Sequence, residues 1–303
     1  MAMTEVAVST AQTPVARWVH RSALGIELGG EVPTGKVEPG LQALVSAVRL
    51  AWSLRETFWV LVAKDFKARY RAQSLGLFWS LAHPLVMMAT TSVAFEWILR
   101  VQIANFPIFY LIGAILWQLV SNVMTATTNS MLENGGLIKH TTFPRFLFPL
   151  SAAFSNLIPF GMELVLVFAF FPVFPSAYHL NETIVALPLV VLVLFVALVG
   201  IGLVTSALNA RYRDVHYIVT SVLTVGFWAT PILYSSKMAP EWVRPFLLLN
   251  PAGFAIESAR GILMDGEFPS PAYGALVAVE ALVIFLLGAS VFRRNGRRVA
   301  DYV

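Results

Sequence analysis

The sequence predicts an all-α polytopic membrane protein with six transmembrane helices, an N-terminal amphipathic interface helix and an external re-entrant helical hairpin before the last span. Hydrophobic residues make up 57% of the 303 residues, and charged residues only 13%, whereas soluble domains have about 25% charged residues. The mean hydropathy is +0.72. Six segments approach the length of about 20 mostly apolar residues that a helix needs to cross a bilayer.

The predicted spans are Phe78–Leu99, Pro107–Ser130, Leu150–Phe174, Ile184–Leu208, Ile218–Tyr234 and Tyr273–Phe292. Arginine and lysine cluster before the first span and after the second, fourth and sixth, so the positive-inside rule predicts that both termini are cytoplasmic. The net charge of +4 therefore reflects orientation and does not indicate nucleic-acid binding. Cysteine is absent, which excludes disulfides and a thiol nucleophile.

Residues 1–40 have scattered prolines and no helical or strand periodicity, which predicts a disordered cytoplasmic tail. Residues 30–37 have the glycine and lysine spacing of a phosphate-binding loop. However, Val37 stands where a hydroxyl would reach magnesium, and no apolar strand precedes the loop. We therefore expect no nucleotide site in this chain.

Residues 41–73 are predicted to contain an amphipathic helix in the cytoplasmic interface, ahead of a transmembrane domain over 74–303. Its apolar face would carry Leu54, Phe58, Leu61, Val62, Phe66 and Tyr70. Lys64, Lys67 and Arg71 would lie opposite. Such a helix either anchors the chain on anionic lipid or forms a docking surface or a cytoplasmic gate.

The segment Glu133–Leu150, between the second and third spans, is too apolar for a simple connecting loop. It carries Leu137, Ile138, Phe143 and Phe146 beside the basic residues Lys139, His140 and Arg145. This composition predicts a short helix that lies against another protein or the membrane surface.

The external segment Lys237–Pro271 contains two apolar stretches that prolines interrupt, and neither is long enough to cross. Two short helices in a re-entrant hairpin would fit, provided that the protein or a cavity protects their backbone. Glu257 and Arg260 are three residues apart, so they could pair on one helical turn. The alternative is a plain external amphipathic loop.

Ionisable residues deep in the spans are few. Glu163 lies plainly deep, and we interpret it as satisfying a packing or hydrogen-bonding need rather than relaying protons, because proton relays usually come as chains of such residues. The histidines lack the spacing of a metal site on one helix, and no metal is expected. Tryptophan and tyrosine gather at membrane interfaces, but Phe78, Trp79 and Trp117 could instead stack on sugar rings in a pathway.

Several motifs together resemble the permease subunit of type-2 ABC exporters, in the branch that exports O-antigen, teichoic acid and related lipid-linked polysaccharides. GLIKHTTFPRFLFPLS at 136–151 resembles the cytoplasmic coupling segment of that branch. Residues 65–71 with 75–79 resemble its entry into the first span, Leu249-Asn250-Pro251 its external re-entrant region, and residues 300–303 its C-terminal end. The resemblance runs from about Leu50 to Val303.

The resemblance implies a homodimer in the bacterial inner membrane, with two copies of a separate ATPase subunit that binds ATP and Mg. The chain itself would be a transport subunit, not an enzyme, and would bind no cofactor. The residues implied in ATPase coupling are Gly135, Gly136, Leu137, Ile138, Lys139, His140, Phe143, Pro144, Arg145, Arg211, Arg213 and Asp214. Those implied in the substrate pathway are Phe78, Trp79, Trp117, Phe227 and Trp228. Lys67, Arg69 and Arg71 are candidates for the lipid headgroup or a cytoplasmic gate.

The expected substrate is a polysaccharide on undecaprenyl or decaprenyl pyrophosphate, such as O-antigen, galactan or teichoic acid. A drug or small-lipid exporter would share this architecture. A membrane-embedded isoprenoid-phosphate transferase is the third alternative, but it would need clustered carboxylates to hold a divalent cation, and the sequence shows no such cluster.

Overall fold

The computed structural model describes residues 54–70, 78–101, 103–140 and 144–295, except for the side chains of residues 140 and 295. Within these ranges every regular element is helical. The predicted tail over 1–40 lies outside the described residues, as do Arg71 and Phe143 and the C-terminal motif at 300–303.

The helices follow one another along the chain in the order in which we number them. They are α1 (Arg55–Tyr70), α2 (Phe78–Ser92), α3 (Phe106–Glu133), α4 (Gly135–His140), α5 (Leu147–Ser155), α6 (Leu157–Ala169), α7 (Leu187–Asn209), α8 (Val215–Ala229), α9 (Arg244–Leu249), α10 (Pro251–Arg260) and α11 (Pro271–Asn295). The π-helical turns Val93–Ile98 and Gly261–Asp265 continue α2 and α10.

Helices long and apolar enough to cross a membrane are present at five of the six predicted spans. They cover Phe78–Ile98, Phe106–Glu133, Leu147–Ala169, Glu182–Asn209 and Pro271–Arg294. The third of these combines α5 and α6, which meet at Asn156 without a break in right-handed backbone. It begins before the predicted Leu150 and ends before the predicted Phe174.

The fifth predicted span, Ile218–Tyr234, is short in the structure, as the position of Pro231 predicts. Helix α8 has 15 residues and is therefore about 22 Å long, against a hydrocarbon core of about 30 Å. It ends because Pro231 disfavours helical backbone at the preceding residue; Thr230 is extended, with φ −92° and ψ 143°. Helix α8 is also loosely packed, and Val219 is its one buried residue.

Helix α3 forms the centre of the bundle. It packs against α2, α5, α7, α8 and α10, and its side chains include the most deeply buried in the described chain. Phe106, Ile108, Leu111, Ile112, Ile115 and Leu119 are all between 0% and 1% exposed. A helix with so many neighbours fixes the relative placement of the others.

Helices α7 and α11 approach each other closely through glycines. A Cβ atom at Gly200 would lie 2.6 Å from the Cα atom of Phe285, closer than any real contact. Gly288 meets the backbone of Gly200 from the other side. Small residues allow the backbones of two membrane helices to approach closely. Close van der Waals packing is important there, because the hydrophobic effect contributes little to the association of helices in lipid.

Helices α9 and α10 form a hairpin whose tip is Asn250. The Oδ1 atom of Asn250 accepts a hydrogen bond from the Ala252 backbone N–H at 3.1 Å, which caps α10. The two short helices expected in the external segment are thus present. The depth at which the hairpin enters the membrane stays a prediction.

Arg260 holds this hairpin to the rest of the bundle. Its side chain is only 4% exposed, and it donates to Glu257 Oε1 at 3.1 Å, which confirms the predicted pair. The other partners of the guanidinium include the carbonyl oxygens of Phe109 (3.1 Å), Pro231 (2.6 Å) and Ile232 (2.7 Å). One arginine therefore joins α3, the segment after α8, and α10.

Candidate functional site

One side of α3 carries a polar stripe inside a membrane-spanning helix. We define the stripe as Gln118, Ser121, Asn122, Thr125, Asn129 and Glu133. Its members recur every three or four residues, so they share a helix face, and the stripe is about 22 Å long at 1.5 Å per residue. All six are partly or fully exposed. Since unsatisfied polar groups facing lipid are costly, this face is suited to water or a polar ligand.

The part of the stripe from Ser121 to Glu133 faces a cavity of about 670 Å³. Helix α1 lines it with Lys64, Asp65 and Arg69, and α5 lines it with Ala152 and Ser155. From α3 it receives every stripe residue except Gln118. Gln118 instead donates to the Oδ1 atom of Asn122 at 3.1 Å and so continues the stripe beyond the cavity.

Helix α1 turns polar side chains toward the bundle, contrary to the predicted arrangement. Lys64, expected opposite the apolar face, donates to Asn134 and lies 2.9 Å from Asp65. Asp65 accepts from Ser151 at 2.8 Å. Trp59 is 60% exposed on the other side of the helix. The reason is that α3 and α5 present polar groups to α1 here, and sequence periodicity cannot show the chemistry of a neighbouring helix.

The three headgroup candidates differ in placement. Arg69 lines the cavity and donates to Asn156, Lys67 is exposed away from it, and Arg71 lies outside the described residues. Glu163, on α6, is 2% exposed. Its role as a packing or hydrogen-bonding residue stays a prediction.

None of the predicted pathway aromatics lines this cavity. Phe78 and Trp79 lie exposed at the start of α2, and Trp228 is 67% exposed on α8. Trp117 packs instead against α8, where a Cβ atom at Gly226 would lie 2.8 Å from its ring. Its ring also meets that of Phe227 edge-on, with centroids 6.3 Å apart. Their role in a pathway stays a prediction.

The predicted coupling segment begins with the short helix α4. Gly136 and Lys139 are exposed, Leu137 is half-buried, and Ile138 is buried at 6% exposure. Gly135 is buried, and Pro144 and Arg145 lie half-buried before α5. The His140 side chain and all of Phe143 are outside the described residues. Because Ile138 packs within this chain, the surface that α4 offers to a partner centres on Gly136 and Lys139.

A second exposed surface lies in the turn between α7 and α8. Arg211, Tyr212, Arg213 and Asp214 are all exposed, and the Arg211 guanidinium lies 5.0 Å from the centre of the Tyr212 ring. The bounds of the helices place this turn at the same membrane side as α4. The turn therefore presents charged and aromatic groups at the face where α4 also lies.

Sequence reasoning missed the polar stripe, although a signal was present. Amides and hydroxyls recur at helical spacing from Gln118 to Asn129, inside the predicted span Pro107–Ser130. A search for polar periodicity within each span would have found them.

Comparison with known proteins identifies the family. The profile of the ABC-2 type transporter family matches residues 56–264, well over half of the chain. This chain belongs to the ABC-2 type transporter family. The resemblance noted from the sequence is thereby confirmed, and the ABC-2 transporter chain is a multi-pass inner-membrane transport protein rather than an enzyme.

The matches to curated relatives extend over nearly the whole length of those relatives. The ABC-2 transporter chain is 29% identical over 261 residues to an O-antigen export system permease protein of Klebsiella pneumoniae, across 84% of this chain and 99% of the relative. It is 28% identical over 264 residues to the corresponding protein of Myxococcus xanthus, across 86% and 100%. The polysialic acid transport protein KpsM of Escherichia coli is 20% identical across 77% and 91%.

Proposed function

We propose that this chain is the transmembrane subunit of an ATP-driven exporter that moves a lipid-linked polysaccharide across the inner membrane. Two copies would form the pathway, and two ATPase subunits would supply ATP hydrolysis with Mg. The carrier would be undecaprenyl or decaprenyl pyrophosphate. The names of the O-antigen permease relatives support this substrate class, and both termini would lie in the cytoplasm.

The polar stripe of α3 is the observation that carries the proposal. Asparagine and glutamine amides both donate and accept hydrogen bonds, and serine and threonine hydroxyls do so as well. A polysaccharide presents hydroxyls that also donate and accept. Hydrogen bonds from the stripe to one sugar could therefore be replaced by bonds to the next sugar as the polymer moves along the stripe. A drug or small-lipid exporter would not need such a row of hydrogen-bonding side chains. The exposed aromatics Phe78, Trp79 and Trp228 would extend this pathway where two subunits meet.

The cavity beneath the stripe suits the anionic head of the carrier. Lys64 and Arg69 both line it, and cationic side chains bind phosphate through charge-assisted hydrogen bonds. Of the three candidates for binding the lipid headgroup, we therefore keep Arg69. Lys64 takes the place of the outward-facing Lys67. Arg69 donates to the neutral amide of Asn156, and Lys64 contacts both the amide of Asn134 and the carboxylate of Asp65. A pyrophosphate could displace the two amides.

The ATPase subunit would bind the exposed parts of α4 and of the turn after α7. Gly136 and Lys139 represent the first, and Arg213 and Asp214 represent the second. Buried Ile138 would support α4 from beneath. In this arrangement the partner touches the chain close to the cytoplasmic end of α3.

The substrate proposal is tested with the complex of this chain and its ATPase in proteoliposomes loaded with lipid-linked polymer. Replacing Asn122 by leucine keeps a similar volume but removes the amide in the middle of the stripe. We expect polymer transport to fall about tenfold. This factor corresponds to about 1.4 kcal/mol, which one or two net hydrogen bonds contribute. Transport unchanged in Asn122→Leu would contradict the pathway assignment.

A matched pair of serines controls for non-specific effects. Ser121 lies in the stripe, whereas Ser290 is half-exposed on α11, which packs mainly against α7. Ser121→Ala should slow transport, and Ser290→Ala should not. Transport of a small apolar compound in place of polymer would favour the drug-exporter alternative.

The partner surface is tested by reversing one charge on each membrane face. Lys139→Glu should weaken co-purification of the ATPase at least tenfold, since removing a favourable contact and adding repulsion at an interface costs more than about 1.4 kcal/mol. Lys237→Glu makes the same change at an exposed residue of the external segment and should leave co-purification intact. Equal binding by both variants would remove α4 from the interface.

A further inference from the structure

Asn209, the last residue of α7, bonds to two other helices at once. It is fully buried, with 0% exposure. Its Nδ2 group donates to the backbone carbonyl of Thr128 at 3.0 Å and to the Oδ1 atom of Asn129 at 3.3 Å. Its Oδ1 atom accepts from the backbone N–H of His216 at 3.1 Å. A single amide therefore uses both its donor and its acceptor between α3 and α8.

The two ends of this contact lead to different surfaces. His216 lies in the first turn of α8, directly after the turn of residues 210–214, in which Ala210 is buried and residues 211–214 are exposed. Asn129 belongs to the polar stripe and lines the 670 Å³ cavity. Asn209 is thus the side chain through which the exposed turn and the stripe are in contact.

Neighbouring hydrogen bonds join α3 and α7 without reaching that turn. Thr128 donates to Thr205 at 2.8 Å, and the hydroxyls of Ser130 and Ser206 lie 3.1 Å apart. Helix α8, by contrast, buries only Val219. The start of α8 can therefore shift against a fixed α3–α7 pair, and the bond from Asn209 registers that shift.

We propose that Asn209 is a positioning residue that transmits movement of the turn 210–214 to the polar stripe through the amide of Asn129. When the ATPase subunit displaces the turn, the His216 N–H moves and the Asn209 amide moves with it. The amide of Asn129 then changes its orientation, and the polar surface offered to the substrate changes. This proposal rests on the proposed function, because it takes the turn as an ATPase contact and the stripe as the pathway.

The absence of cysteine from the chain allows a clean test on the full complex. Thr125→Cys places one thiol in the stripe, one helical turn from Asn129. A membrane-impermeant maleimide is applied from the cytoplasmic side, and the labelling rate is measured without nucleotide and with a non-hydrolysable ATP analogue. We expect the two rates to differ by about fivefold or more, the usual scale for coupled sites.

Two variants break the contact in different ways. Asn209→Ala removes both sets of hydrogen bonds. His216→Pro removes the N–H donor, together with the imidazole, at a first-turn position that tolerates proline. Ser206→Ala is the matched control, because it deletes a buried α3–α7 hydrogen bond that does not involve the turn. With the ATPase still bound, both disruptive variants should bring the ratio of rates close to one, and the control should preserve it.

Each outcome decides a separate point. A nucleotide-dependent ratio that survives in both Asn209→Ala and His216→Pro overturns the positioning role and leaves the proposed function intact. If the labelling rates with and without the ATP analogue are equal in the parent Thr125→Cys chain with the ATPase bound, both the positioning role and the proposed function are overturned. Loss of the ratio in Ser206→Ala as well would assign the effect to general α3–α7 packing and would also overturn the proposal.

Discussion

Two polar clusters within this membrane protein show opposite arrangements. Around Arg260, the guanidinium is buried, and it is matched by carbonyl oxygens and by the half-buried Glu257, which also accepts from Ser236 at 2.7 Å. Along the α3 stripe, amides and hydroxyls are half-exposed toward an open cavity. A polar group in a membrane protein is costly unless it is satisfied. The first cluster is satisfied by the protein itself, so it stabilises the fold, while the second is left available to a ligand.

Arg260→Met should give the largest loss of stability. It leaves Glu257 and four carbonyl oxygens without their buried partner, and breaking a buried pair costs about 3–5 kcal/mol. Thermal unfolding of the purified protein in detergent would measure the change. Arg244→Met is the matched control, because Arg244 is less buried and donates only to the carbonyls of Ala239 and Lys237 among its described bonds.

The comparison would fail if the two arginine variants unfolded at the same temperature. Adding Glu257→Gln to Arg260→Met removes the uncompensated charge, and the double variant should be more stable than Arg260→Met alone. If it is not, the carbonyl contacts rather than the ion pair dominate.

Glu163→Gln should have an intermediate effect. The substitution keeps the volume of a side chain that is 2% exposed and exchanges its carboxyl group for an amide, at a cost of about 1 kcal/mol. We expect polymer transport to be retained and its response to a transmembrane pH gradient to stay the same. Loss of transport together with an altered pH response would instead support a proton relay.

Asn122→Leu, introduced above for its effect on transport, should have the smallest effect on stability. Because the Asn122 side chain is partly exposed and receives one described hydrogen bond, from Gln118, its replacement should change the free energy of unfolding by less than about 1 kcal/mol. Large destabilisation with normal transport would assign the stripe to the fold and would remove the contrast with Arg260.

The sequence predicted the helices better than it predicted which way they face. Five spans and the external hairpin were located from apolar length and proline positions, and the Glu257–Arg260 pair was found from spacing on one turn. The inward turn of Lys64 and the burial of Ile138 were not predicted, because the environment of a side chain depends on which helices pack beside it. The early end of α8 at Ala229 follows from Pro231.

By itself, the sequence determined that the protein lies in a membrane, how many long apolar segments it has and to which family it belongs. These properties depend on composition, on length relative to the bilayer and on local motifs, all of which are present in a linear chain. Only the tertiary structure decided that the stripe of α3 faces a cavity, that Arg69 points into it, and that Asn209 joins α3 to α8. Such contacts depend on how distant segments pack, and 128 and 209 become neighbours only after the helices have assembled.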